Sequence, residues 1–176
     1  MMWLKTVQLT KESGNMALKI MISEAEHLRN SLLEVNRELK KLSQSDKYVR
    51  NMEFIRSVPG VGLITGILFL REIDTIMRFE NNDKFAAMIG IISDCHSSGE
   101  NQQQGEITSR GHNHLRRGLI ESAWIAVGID TALTKCFSEY CKRMEPNIAI
   151  IRIARKLSNR IYFVLKNQKK NEPKIV

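Results

Sequence analysis

The chain has 176 residues, which suits one domain, or a small domain with one long helical arm. Its composition, with 43% hydrophobic and 26% charged residues, excludes disordered, collagen-like and disulfide-scaffold proteins. The net charge is +8, and the excess is one-sided: 13 basic and 14 acidic residues precede Arg110, whereas 14 basic and 5 acidic residues lie from Arg110 onward. Such a basic region indicates a phosphate-bearing partner such as nucleic acid, although a solubilising face or a ribosome or membrane contact also fits.

The sequence favours a reducing compartment over secretion. The first residues lack the apolar core of a signal peptide, and no stretch reaches the roughly 18 apolar residues of a membrane span. The three cysteines are an odd number without C-x-x-C spacing, so we expect a cytoplasmic protein without membrane contact. The four potential zinc ligands fit no usual ligand spacing, so we expect no metal in this chain; they are Cys95, His96, His112 and His114.

A long amphipathic helix is predicted after a mixed segment at 1–17. Apolar residues recur in steps of three and four at Leu18, Met21, Ala25, Leu28, Leu32, Val35, Leu39 and Leu42. A helix of this extent is about 40 Å long and polar on its back, which favours a coiled-coil arm at 18–45. The arm would pair two chains through 18–42 or pack on an antiparallel partner. The alternative is a surface helix that lies on its own domain.

The next pattern indicates a helix-hairpin-helix. A helix from Tyr48 to Ser57 precedes Val58-Pro59-Gly60-Val61-Gly62, and an apolar run, Leu63–Leu70, follows. Glycine lets the backbone turn sharply, and the first amides of the second helix, at its positive dipole end, can bind a phosphate oxygen. We therefore predict that Gly60, Val61 and Gly62 contact nucleic acid without reading its sequence. A plain glycine-bearing connector is the alternative.

The rest of the chain predicts a mostly α protein. The predicted elements are a helix at Asn82–Ile89, a short extended piece at 90–92, a long polar loop at Ser93–Ser109, and helices from Arg110 to about Ile129, at Leu133–Met144 and at Pro146–Gln168. The last helix has an apolar stripe and a basic face. We thus expect a compact helical domain over 46–168 and a basic tail at 169–176.

An ordered set of short motifs is similar to the C-terminal domain of IS110-type insertion-sequence transposases, a family that includes the IS116 and IS902 types. The similarity covers about residues 50–165, and the heptad arm before it matches the family's coiled-coil linker. The motifs are Ser57-Val58-Pro59-Gly60-Val61-Gly62, Arg78-Phe79, Phe85-Ala86-Ala87-Met88-Ile89-Gly90, Ser98-Gly99, Gly105-Glu106-Ile107-Thr108-Ser109-Arg110-Gly111, Leu115-Arg116-Arg117 and Glu121-Ser122-Ala123-Trp124.

The resemblance implies a DNA recombinase that moves insertion sequences and is guided by a structured RNA. Members combine an N-terminal RuvC-like domain, whose four acidic residues bind metal such as Mg²⁺, with this C-terminal domain and its serine nucleophile. By motif position that serine is Ser98, with Ser97 beside it as the other candidate. The serine would hold DNA as a covalent phosphoserine and keep the bond energy for rejoining. Phosphates would be held by the hairpin amides and by Arg110, Gly111, Arg116 and Arg117.

Two positions depart from the family's motifs: Ser93 stands where Pro is usual, and Gly111-His112 replaces the usual Gly-Asn, with Asn113 displaced by one. The acidic domain is not visible in the sequence, so we expect the chain to be the C-terminal part of a transposase that is inactive alone. Two other hypotheses stay open. One is a non-catalytic helix-hairpin-helix dimer that binds DNA or RNA, in which Ser98 is an ordinary turn residue. The other is an assembly module in which the arm alone matters.

Overall fold

The computed structural model describes residues 3–91, 93–98, 101–107 and 111–172. Its α-helices are α1 (Glu12–Ser43), α2 (Val49–Ile55), α3 (Leu63–Ile73), α4 (Asn82–Ile89), α5 (Asn113–Ile129), α6 (Thr131–Cys141) and α7 (Pro146–Asn167). Two strands, β1 (Ser93–Ser98) and β2 (Asn101–Ile107), and 3₁₀ turns at Trp3–Thr6 and Ile76–Arg78 complete the elements. The mostly α prediction is therefore confirmed. None of these helices is both long and apolar enough to cross a membrane.

The chain divides into two compact units, Met1–Leu42 and Ser43–Val176. The first consists of α1 and the segment before it. Asn15 fastens this segment, because its Oδ1 accepts from the Leu9 amide at 2.7 Å and its Nδ2 donates to the Leu9 carbonyl at 2.9 Å. Lys5 also pairs with Glu26 at 2.6 Å. Helix α1 begins at Glu12, six residues before Leu18, the first residue of the predicted apolar seam.

Much of the apolar seam of α1 is exposed in the single chain. Leu28, Leu32 and Val35 keep 55–63% of their surface accessible, whereas Leu18 and Leu39 are half-buried. An exposed apolar seam is what a coiled-coil strand presents before it pairs. The coiled coil itself stays a prediction.

The second unit is a helical domain in which α7 packs against α2, α4, α5 and α6. The predicted apolar stripe of α7 is buried throughout, at Ile150, Ile153, Ala154, Leu157, Ile161, Val164 and Leu165. Phe69 of α3 and Phe85 of α4 are fully buried and lie 6.3 Å apart between ring centroids. Burial of this apolar surface is the main term that stabilises such a domain.

The polar stretch predicted as a long loop differs from that prediction. The backbone at Ser93–Ser98 pairs antiparallel with the backbone at Asn101–Ile107, with a register shift between Ser93 and Cys95. Recognition of a strand from sequence depends on apolar and polar residues alternating, since one face is usually buried. The sequence of this segment is mostly polar at successive positions and shows no such alternation, so it carried no strand signal.

Candidate nucleic-acid interface

The glycine turn between α2 and α3 packs directly on α5. Gly60 has φ +79°, and a Cβ built on it would lie 2.1 Å from the Ser122 carbonyl oxygen and 2.9 Å from the Ala126 nitrogen. Only glycine tolerates both the left-handed backbone and this close approach. The motif around Gly60 and the motif around Ser122 are far apart in sequence but form one contact in the fold.

The amides of this turn differ in their availability. The Val61 N–H donates to the Val58 carbonyl at 3.1 Å, and the Val61 side chain is buried. Gly62 is the N-cap of α3, exposed and extended, and it makes no side-chain capping bond. The first four amides of a helix have no partner within the helix. The predicted phosphate contact would therefore involve Gly62 and the first turn of α3 rather than the Val61 amide.

A second pair of glycines brings together the two ends of the segment that carries the β-hairpin. Gly90 ends α4 with φ +81°, and Gly111 has φ +135°. A Cβ on Gly111 would lie 2.6 Å from the Cα of Gly90, so the two backbones touch. The His112 amide also donates to the Met88 carbonyl at 3.0 Å. The segment that holds Ser98 thus leaves and rejoins the helical domain at one point.

The predicted nucleophile lies in this segment. Ser98 is the last residue of β1, and its backbone pairs with Asn101, the first residue of β2; the Ser97 backbone pairs with Gln102. The side chains of this hairpin, Arg110 and residues 173–176 of the predicted tail are outside the described residues. The roles of Ser98 and Arg110 therefore stay predictions.

His112 caps α5 in place of the asparagine usual in the family. Its Nδ1 accepts from the Leu115 amide at 3.3 Å, and its Nε2 lies 3.1 Å from Oε2 of Glu72. Both hydrogen bonds can form when the ring proton is on Nε2, because Nδ1 must be unprotonated to accept a hydrogen bond from the Leu115 amide and Nε2–H can then donate to Glu72. The departure from Gly-Asn thus preserves the helix cap and adds a contact to α3. Imidazole is not one of the common capping groups, so this cap could not be predicted from the sequence.

The two arginines at the start of α5 point in different directions. Adjacent helical residues are about 100° apart, so Arg117 is exposed while Arg116 is half-buried. The first turn of α5 contains no acidic residue. Cations near a helix N-terminus meet the positive end of the dipole, which is unfavourable without an anion nearby. The Glu72 carboxylate, which contacts His112, already lies at this end of α5, and the exposed Arg117 adds a cation that a phosphate group could approach.

A buried ion pair fixes α6 against α7 and was not predicted from the sequence. Nη1 of Arg160 lies 2.6 Å from Oδ2 of Asp130, and Oδ1 of Asp130 caps α6 by accepting from the Leu133 amide at 3.0 Å. Burial by itself raises the pKa of the Asp130 carboxyl. The hydrogen bonds from Arg160 and from the Leu133 amide outweigh it, so this pKa lies below its usual value. Arg160, which was predicted as part of a basic face, therefore joins α7 to the start of α6.

The chain is similar to known transposases. Residues 52–138 match the model of the IS116/IS110/IS902 transposase family. A transposase for insertion sequence element IS1111A of Coxiella burnetii is 30% identical over 86 residues, which are 49% of this chain and 23% of that protein. A probable family 20 transposase of Pseudomonas aeruginosa is 23% identical over 155 residues, 86% of this chain and 45% of its own length. The chain therefore spans less than half the length of these relatives.

The family match includes the glycine turn, the Gly90–Gly111 contact, the hairpin with Ser98 and the part of α5 that holds Ser122. These features are separate motifs in the sequence, and in the fold the glycine turn contacts α5 and Gly90 contacts Gly111. The resemblance first drawn from those motifs is confirmed. Over residues 52–138 the chain belongs to the IS116/IS110/IS902 family of transposases, in the C-terminal region of its members.

Proposed function

We propose that the chain is the DNA-handling C-terminal part of an insertion-sequence transposase, which cleaves and exchanges DNA strands together with a RuvC-like domain outside this sequence. The family match over residues 52–138 is the observation that supports this proposal most strongly, because it spans both the glycine turn and Ser98. The polar hairpin agrees with it, since binding and catalytic residues are concentrated in such excursions from a rigid scaffold.

Ser98 is the proposed nucleophile. Its Oγ would give up a proton and form a P–O bond with a DNA phosphodiester, while one ester bond of that phosphate breaks and the released hydroxyl end of the strand takes a proton. The other end stays attached to the serine, and attack by a new hydroxyl end reverses the step. A serine hydroxyl is a weak nucleophile at its ordinary pKa, so another group must activate it.

The proposed phosphate ligands surround the helix ends described above. The turn at Gly60, Val61 and Gly62 would present the first amides of α3, while Arg110, Gly111, Arg116 and Arg117 would serve the start of α5. Such contacts position DNA without reading its sequence. Their number sets how steeply affinity falls with salt.

The described residues offer no cluster that fits the Mg²⁺ implied by the family. Mg²⁺ prefers carboxylate oxygens, and the described residues contain no group of three His, Cys, Asp or Glu side chains that could hold an ion. The metal would belong to the RuvC-like domain. A guide RNA, a homo-oligomer formed through 18–42 and a location in the bacterial cytoplasm are further parts of the proposal.

A covalent trapping assay tests the nucleophile. The chain is mixed with nicked element ends and with the RuvC-like domain supplied in trans, and the protein–DNA adduct is separated on a denaturing gel. We expect an adduct with the unmodified chain and with Ser97→Ala, and none with Ser98→Ala. An adduct that persists in Ser98→Ala and disappears in Ser97→Ala would transfer the role to the neighbouring serine.

The alternative is a non-catalytic helix-hairpin-helix dimer that binds nucleic acid. The exposed seam of α1 and the close-packed glycine turn favour it as strongly as they favour a transposase part. It predicts salt-sensitive binding that is indifferent to Ser98 and no adduct under any condition. Adduct formation by the unmodified chain would therefore exclude this alternative.

A further inference from the structure

The solvent-facing side of α7 carries an aromatic ring among positive charges. The helix contains five basic residues and no acidic residue. Phe163 is 55% exposed, although the apolar stripe of the same helix is buried. At 100° per residue, Phe163 falls within a sector of about 60° that also contains Arg152, Lys156 and Asn159. We call these four residues the α7 stripe.

Two of the five basic residues of α7 are neutralised by carboxylates and lie beside the stripe. Arg155 pairs with Asp83 of α4, and Arg160 pairs with Asp130 at the start of α6. These ion pairs join α7 to its neighbours, so their charges contribute little to an external partner. The predicted basic face is in this respect smaller than the sequence suggested.

The remaining three basic residues have no carboxylate partner in the described part of the chain. The Arg152 guanidinium lies 5.7 Å from the centre of the Tyr140 ring, and the Lys166 ammonium donates to the Tyr162 hydroxyl at 2.6 Å. Neither partner is a carboxylate. Lys156 forms no salt bridge with any carboxylate in the part of the chain that the structure describes.

The helices on either side of the stripe add no unpaired negative charge. Asp83 is the one acidic residue of α4, and it is paired with Arg155. Glu139 is the one acidic residue of α6, and its Oε1 lies 2.7 Å from Nζ of Lys142. The stripe is therefore a positive surface with an exposed ring, and it is complementary to a polyanion.

We propose that the α7 stripe binds an unpaired DNA strand, with one base stacked on the Phe163 ring and the phosphates on one side of that base held by Arg152 and Lys156. Arg152 and Lys156 both precede Phe163, and Arg152 is about 16 Å from it along the helix axis, so a strand that follows this axis would meet the two cations on the same side of the stacked base. A duplex is a poorer occupant, because its bases already stack on one another and offer no face to the ring. Stacking on aromatic residues together with a basic track is how proteins bind single strands.

The choice of DNA rests on the proposed function, whereas the choice of an unpaired strand rests on the exposed ring. The stripe is separate from the glycine turn and from Ser98 in sequence and uses none of the residues proposed there. It would give the chain a surface for the single strand that cleavage and exchange release.

Fluorescence anisotropy with labelled 12-nucleotide probes tests the stripe on the full chain. The probes are a thymidine strand, an abasic strand of the same length and charge, and a 12-base-pair duplex. We expect Phe163→Ala to weaken binding of the thymidine strand about tenfold and to leave the abasic strand and the duplex unchanged. Lys156→Ala should weaken both single strands and lower the slope of log affinity against log salt by about 0.7.

Matched controls separate this effect from a loss of folding. Ile129→Ala removes an apolar side chain of similar exposure from α5, and Lys135→Ala removes a lysine from α6; neither should change the thymidine affinity. The proposal is overturned if Phe163→Ala leaves thymidine binding unchanged, if it weakens all three probes equally, or if it changes the sedimenting mass, which would mean that a protein covers the ring.

Three further outcomes are informative. Tighter, Phe163-dependent binding of a matching uridine strand would overturn the assignment to DNA. If the unmodified chain binds the duplex but Phe163→Ala has no effect on any probe, the stripe fails and the proposed function stands. If the unmodified chain binds no nucleic acid probe, both fail.

Discussion

Helices α1 and α7 are both long and amphipathic, yet their apolar faces have different surroundings. The stripe of α7 is 0–2% exposed because four helices of its own unit cover it. The seam of α1 leaves Leu28, Leu32 and Val35 more than half exposed. Helical periodicity therefore predicts that an apolar face exists, but it does not tell whether the same domain or another chain covers that face.

The largest effect is expected from truncation inside α7. Leu157 is fully buried, so Leu157→Ala should lower the free energy of unfolding by about 3 kcal/mol through lost burial and the cavity left behind. Urea unfolding monitored by circular dichroism would measure it, and the loss should not depend on protein concentration. Asn159→Ala, on the exposed side of α7, is the control and should cost less than about 1 kcal/mol. An equal loss in both variants would contradict the assignment of the buried face.

Disruption of the α1 seam should act on association. Leu32→Asp with Leu39→Asp would place two charges in an apolar interface, which should weaken pairing by about 100-fold or more. Analytical ultracentrifugation should show the unmodified chain as a dimer or larger and the variant as a single chain. Asn30→Asp, about half a turn away from the seam, should leave the mass unchanged. A single-chain mass for the unmodified protein would show that α1 does not pair two copies.

Sequence reasoning succeeded where a pattern has one physical cause. Helix α4 was predicted with both of its observed ends, because Asn81 caps it and Gly90 provides a left-handed stop. The stripe of α7 followed from periodicity. The contact between Gly60 and Ser122 and the contact between Gly90 and Gly111 could not be predicted, since each joins segments through a backbone approach that no local pattern records.

The same limit applies to charge. Arg152, Arg155 and Arg160 all belong to the predicted basic face of α7, but Arg155 and Arg160 are paired with carboxylates and Arg152 lies over a tyrosine ring. The net charge predicted a surface with an excess of basic residues, and α7 has such an excess. Which cations remain available depends on partners that come from α4 and α6, and these appear only in the folded chain.

The buried ion pair on α7 should give a smaller effect with a pH dependence. Asp130→Asn keeps an oxygen that can cap α6 but loses the charge, so it should cost about 2 kcal/mol at pH 7. Because the pKa of Asp130 is lowered in the fold, its stabilisation is present above the unfolded pKa of about 4 and is lost as pH falls through the folded pKa.

Urea unfolding of both proteins from pH 7 to pH 3 would measure this difference. The two stabilities should converge as the pH falls, while Glu139→Gln, which alters an exposed pair, should follow the unmodified chain. A gap between the unmodified chain and Asp130→Asn that stays constant down to pH 3 would show that the carboxylate charge does not stabilise the fold.

The smallest effect is expected at the cap of α5, and it tests whether burial or capping stabilises the helices of this domain. Helix α7 forms without any side-chain cap, which indicates that burial, not capping, holds a long helix in place. His112→Ala should therefore cost only about 1 kcal/mol, whereas His112→Asn, which restores the usual capping amide, should cost less. Thermal unfolding of His112→Ala, His112→Asn and Glu72→Gln would separate the stabilisation that comes from the cap from the stabilisation that comes from the Glu72 contact. If His112→Asn destabilises the chain as much as His112→Ala, then the contact with Glu72 is the stabilising one and the cap is incidental.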